Sequence, residues 1–229
     1  MKIIIIIFFF LFFVNESFPQ SNYNNFTHYF GVQLNTGATF FNLSSLKDSF
    51  QNYVTSYKDN YNIPLKVQRL YPTNISWSFY FFWYFSQNFS LNFGPEYTST
   101  RAFSRYSDYS GTLDIKGEIE EIYLSLGIKK HFPEVPYVQP FLGLTAGVTQ
   151  FKFTNDVNLV INNIPQTNYN NFEDSDYGYF FELNTGFTYN INIAVLEFDA
   201  YYKMVNLDRF IIDPNNFSLQ IGIKKGIFK

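Results

Sequence analysis

Between Ile75 and Tyr97 the chain reads ISWSFYFFWYFSQNFSLNFGPEY. Ile75, Trp77, Phe79, Phe81, Trp83 and Phe85 form one apolar row, every second residue. After Ser86-Gln87-Asn88, a second row runs through Phe89, Leu91, Phe93, Pro95 and Tyr97. The positions between them are mostly small or polar: Ser76, Ser78, Ser90, Asn92, Gly94 and Glu96, with Tyr80, Phe82 and Tyr84 as the aromatic exceptions. Successive side chains leave a strand on opposite faces, so a period of two requires strands rather than a helix. The short polar break makes the pair a hairpin. The question this raises is which solvent each face meets.

Six further segments alternate in the same way. They cover about 29–41, 117–132, 137–153, 177–189, 192–204 and 216–225. The connections alternate in length, with long ones at 42–72, 104–116, 154–176 and 205–215 and short ones at 86–88, 133–136 and 190–191. Eight strands with this wiring predict an all-β fold, an eight-stranded antiparallel up-and-down transmembrane β-barrel. Its short turns would be periplasmic and its long loops extracellular, as in outer-membrane barrels. An even strand count places both termini on the short-turn side.

Face chemistry separates this fold from a soluble barrel. A soluble β-barrel or sandwich would turn its second row to water and carry many Lys and Glu there. Here that row is mostly Gly, Ser, Thr, Asn and Tyr, which suits the narrow interior of an eight-stranded barrel. The apolar row suits lipid. It includes Trp77, Phe79, Phe81, Trp83, Phe93, Leu144, Phe181, Leu196, Phe198 and Ile221. The lipid bilayer of the cell outer membrane is therefore the expected partner. A secreted soluble lipocalin-like carrier is the alternative that would bury this row.

Lys2 followed by the apolar run Ile3 to Val14 reads as a secretory signal, too short to cross a bilayer as a helix. We assign 1–21 to the signal peptide, with cleavage between 17 and 21, and 22–229 to the barrel. The absence of cysteine excludes a disulfide framework and a lipid-anchored N-terminus. A net charge of −3 gives no reason to expect nucleic acid.

Eight charged residues fall on the inward row by phase: Glu96, Glu121, Glu182, Glu197, Asp199, Lys129, Lys203 and Lys224. Charges in a narrow lumen must pair or keep water, because an unpaired buried charge costs several kcal/mol. They are expected to form a structural ion-pair network that plugs the barrel. In the first long loop, Leu43, Leu46, Phe50, Tyr53, Val54 and Tyr57 recur at three and four, predicting an amphipathic helix over the barrel rim. The 42–72 loop is also the candidate surface for another envelope protein. Glu173, Asp174 and Asp176 lack the spacing of a calcium loop and read as a solvated acidic stretch. No metal and no cofactor is expected. His28 and His131 both map to the short-turn end and neither has a Ser–Asp partner in sequence, so no enzymatic activity is expected.

The segment EEIYLSLGIKKHFPEVPYVQPFLGLTAGV resembles the centre of the small PorT-like outer-membrane β-barrel family of Gram-negative bacteria. The similar features are Glu121-Ile122, Leu124 and Lys129, the Pro-bearing turn, then Pro140-Phe141 with Gly143 and Gly147. The closing NFSLQIGIKKGIF is similar to the last strand of such barrels. Tyr123 departs from the pattern, since the family often has Pro there. The resemblance implies location and fold, and no reaction. The expected role is structural, adhesive or accessory, through the loops or as a subunit of an envelope complex. A narrow-pore small-solute porin is the alternative within the same fold.

Overall fold

A computed structural model describes residues 29–71, 74–135, 137–162, 164–166, 171–191, 194–210 and 214–228. The expected signal segment (1–21) and His28 lie outside the described residues. The elements are β1 (Tyr29–Phe41), helix α1 (Ser44–Tyr61), β2 (Val67–Arg69), β3 (Asn74–Ser86), β4 (Phe89–Ser107), β5 (Gly111–His131), β6 (Val138–Ile161), β7 (Ile164–Gln166), β8 (Phe172–Asn190), β9 (Val195–Leu207) and β10 (Asn216–Phe228). Short β2 and β7 pair outside the ring, with β4 and β6.

Eight strands form a closed antiparallel barrel. Around the ring the order is β1, β3, β4, β5, β6, β8, β9, β10 and back to β1. Closure rests on β1, which pairs with both β3 and β10, for example Leu34 opposite Phe79 and opposite Ile223. No ring strand keeps an unpaired edge, which is the condition for a sheet in an apolar solvent. Residues 87–88, 132–137 and 191–194 connect strands at one end, where Tyr29 begins β1 and Phe228 ends β10. The longer connections, including the one carrying α1, lie at the other end.

Two of the expected long loops are largely strand. β4 and β5 stay paired from Phe89 opposite Lys130 up to Ser107 opposite Thr112, leaving only Asp108-Tyr109-Ser110 as a turn. β6 runs on to Ile161. The alternation there inverts, which hides the strands from a search for one apolar row. On β5, Ile122, Leu124 and Leu126 point outward and are exposed, with Tyr123 and Ser125 buried between them. Above residue 120 the buried positions are Leu113, Ile115, Gly117 and Ile119, while Lys116, Glu118 and Glu120 take the outer row. On β6, Leu144 and Val148 are exposed, whereas Phe151 and Val157 are buried. The outer surface changes from apolar to polar at this level, and the interior changes the opposite way.

Helix α1 closes the upper interior. Phe50 and Val54 are its buried residues, and they join Leu43, Leu65 and Tyr71 in one cluster with Ala102, Leu113, Ile115, Ile119, Phe151 and Val157 of the barrel wall. The expected periodic residues form the docked face. Leu46, Tyr53 and Tyr57 pack at its border. The helix ends at Asn62, whose left-handed backbone (φ 51°) caps it by donating its N–H to the Lys58 carbonyl. Gly117 leaves room beneath it, since a Cβ there would sit 2.5 Å from the Tyr71 hydroxyl and 3.2 Å from the Phe50 ring.

Candidate functional site in the barrel lumen

Below the apolar cluster the lumen is polar and filled. The inward phase of the strands brings all eight expected charged residues inside, in two clusters. Nearer the short-turn end, Lys129 Nζ donates to Glu197 Oε1 at 2.7 Å and to Asp199 Oδ2 at 2.8 Å. Lys224 pairs with the other Glu197 oxygen. Gln33 donates to Glu197 at 2.8 Å and to Asn35 at 2.6 Å. Two ammonium groups thus meet two carboxylates.

Nearer the helix, Lys203 Nζ lies 2.9 Å from Glu96 and 3.6 Å from Glu182, with its side chain fully buried. It also sits 3.7 Å above the Tyr123 ring, a cation–π contact deep in the barrel. Tyr201 and Tyr80 donate hydroxyls to Glu96 at 2.6 and 3.2 Å. Tyr123 donates to Glu121 and accepts from Asn216 at 3.2 Å. Asn184 donates to Glu182 at 3.2 Å. Here three carboxylates face one ammonium, and phenolic hydroxyls supply much of the remaining solvation. Gln220 bridges outward from this cluster, donating to Tyr201 at 2.9 Å and to Ser76 at 3.0 Å. A void of about 10 Å³ between the clusters, lined in part by Tyr80, Lys129 and Tyr201, holds about one water at most.

The positions expected to meet lipid all stand on the outward row. Trp77, Phe81, Phe93, Leu144, Phe181, Phe198 and Ile221 are exposed. Phe79, Trp83 and Leu196 are half-buried on the same row, Trp83 by a parallel stack on Phe30 at 5.5 Å. The acidic stretch makes local ties. Glu173 pairs with Lys152 and Asp174 with Arg209, at 3.0 and 3.2 Å. Asp176 is buried and accepts the backbone N–H groups of Tyr177, Arg209 and Phe210. Among the described residues no cluster suits a metal ion.

Sequence reading missed one buried pair and several network members. His131 Nε2 lies 2.9 Å from Ser90 Oγ, with both residues buried. His131 Nδ1 has no hydrogen-bond partner among the described residues. Gln33, Gln220 and Tyr201 share the inward phase of their strands, which is the signal that would have placed them. Their pairing with particular charges depends on barrel shear, which the sequence does not display.

The chain thus has the architecture of a closed eight-stranded up-and-down barrel with an apolar outside and a charged, packed inside. No protein-family model and no curated protein matches the sequence. Among solved structures it is similar to Neisserial surface protein A, at 10% identity over 88% of this chain and 100% of that one, TM-score 0.48. It is similar to Ail of Yersinia pestis in complex with the heparin analogue sucrose octasulfate, at 12% identity over 87% and 100%, TM-score 0.47. It is also similar to the outer membrane protein OprG from Pseudomonas aeruginosa, at 13% identity over 87% and 96%, TM-score 0.39. The barrel itself is established by the strand register of this chain rather than by these likenesses.

Proposed function

We propose that this protein is an integral outer-membrane β-barrel with a closed lumen, acting through its extracellular face in a structural, adhesive or accessory role. One observation carries the reading: the outward row is apolar in a belt that crosses all eight ring strands. On β5 the belt lies between Glu120 and Lys130. Ten residue steps at ~3.3 Å, tilted by ~40°, rise roughly 25 Å, the height of the apolar band of such barrels. A soluble carrier would leave this belt in water, an apolar surface far larger than monomeric soluble proteins expose. Both termini would be periplasmic, preceded by the signal segment. The resemblance to PorT-like barrels agrees with this reading.

The packed lumen argues against a porin. Above the belt, β4, β5 and β6 project by some ten residues, roughly 25 Å, and offer the extracellular surface. The polar face of α1 within 42–72 is the surface for an envelope partner. Heat-modifiability tests the reading: folded barrel should run faster than boiled protein on a detergent gel and resist extraction by carbonate. Release by carbonate without detergent would refute it. Steady conductance in a planar bilayer would instead support the pore.

A further inference from the structure

At the short-turn end the barrel opens into a cavity of about 240 Å³ whose inner wall includes Lys224 of the lumen network. Tyr29, Phe82, Tyr84 and Tyr137 line it, together with Glu134 and Gln139. The first three form one aromatic cluster, with ring centroids 5.6 to 6.1 Å apart. Phe82 is buried as the floor, and Lys224, held by Glu197, backs it at 5.4 Å from the ring. Tyr137 is unlike the rest. It is 68% exposed, yet its backbone has a φ of 66°, the left-handed region that a bulky residue rarely enters. It is a central residue of the tight reversal in which Val135 and Val138 exchange backbone hydrogen bonds at 2.9 and 2.7 Å. Such a position ordinarily takes Gly or Asn. The turn accounts for the left-handed backbone, and the exposed ring of Tyr137 stands at the rim of the cavity.

We propose that this cavity binds a pyranose unit of a saccharide. Aromatic walls present flat apolar faces to the C–H face of a sugar ring, while the Glu134 carboxylate and the Gln139 amide at the rim take its hydroxyl groups. The volume suits a single ring with its substituents. A charged ligand is disfavoured, because Lys224 is already neutralised by Glu197 and Glu134 is the exposed charge on the wall. The orientation proposed above makes the saccharide a periplasmic one. Binding by the purified barrel does not depend on that orientation, so failure to insert and failure to bind are separate results.

The test is titration of the folded barrel in detergent with chitotriose, maltotriose and the open-chain polyol sorbitol, read by NMR of the Tyr resonances. Wild type should show saturable shifts at millimolar chitotriose or maltotriose, and none with sorbitol. Which sugar binds better identifies the source. Tyr137→Ala should weaken binding by about tenfold. Tyr137→Gly is the discriminating variant. Glycine suits the left-handed backbone, so thermal stability should hold or rise while binding is lost. Three outcomes would overturn the proposal: no saturable shift with either saccharide, equal shifts with sorbitol, or a Tyr137→Gly barrel that binds as before.

Discussion

Replacing Glu197 with Gln removes one charge and little volume from the centre of the lower lumen cluster. Glu197 is fully buried and serves Lys129 at 2.7 Å, Gln33 at 2.8 Å and Lys224. In the variant, Lys129 keeps Asp199 at 2.8 Å, but Lys224 loses its carboxylate. Breaking a buried pair by removing one partner costs about 3–5 kcal/mol, most of it from the charge left behind. One ammonium stranded, with its neighbour still partly paired, places the expected loss near 3 kcal/mol. The double variant Glu197→Gln with Lys224→Met removes the stranded charge, so it should recover much of that loss. Urea unfolding in liposomes, followed by tryptophan fluorescence, measures both, with the loss read from the midpoint at constant slope. A Glu197→Gln barrel within about 0.5 kcal/mol of wild type, or a double variant no more stable than the single, would refute the buried-network argument.

Other expectations follow from separate parts of the molecule. Leu126→Arg, near mid-belt on the outer row, should destabilise the membrane-inserted barrel by about 2–4 kcal/mol, whereas Lys152→Ala above the belt should change unfolding by less than about 0.5 kcal/mol. Gly117→Val should lift α1 off the wall, because the space is taken by Tyr71 and Phe50; limited proteolysis should then cut within 44–71 while the barrel stays heat-modifiable. In the β4–β5 turn, hydrogen bonds from Ser110, Tyr106 and Gly111 hold the Asp108 carboxyl below the usual aspartate range. The unfolded chain binds that proton more readily, so the turn's contribution is present above the ordinary aspartate pKa and lost as pH falls through the lowered one. An NMR titration should place the Asp108 midpoint below that of a model peptide; a midpoint at or above it would contradict the hydrogen-bond pattern.

Strand positions and their phase were legible in the sequence where one face is lipid-like. β1 spans Tyr29–Phe41 as its alternation indicates. Gln87-Asn88 forms the turn between β3 and β4. The helix was legible because Phe50 and Val54 share one face with Leu43. What escaped was the inversion on β5 and β6. Ile115, Ile119 and Val157 are apolar on the inner row, so the upper strands read as polar loop to a search that follows Ile122 and Leu124. Phase put Glu121 and Lys203 inside, but not which carboxylate meets which lysine. That depends on stagger around the ring, and on Tyr123 lying between the two.

The central claim is that the outer row meets lipid and the inner row does not. The chain has no cysteine, so single-cysteine variants carry one label each without background. Nitroxide labels at Leu126 and Leu144, on neighbouring strands within the belt, can be compared by EPR with labels at Glu120 and Lys152 above it. The account predicts that apolar oxygen relaxes the belt labels strongly while a water-soluble nickel chelate does not, with the reverse at 120 and 152. Belt labels relaxed by the nickel chelate as strongly as those at 120 and 152 would contradict it.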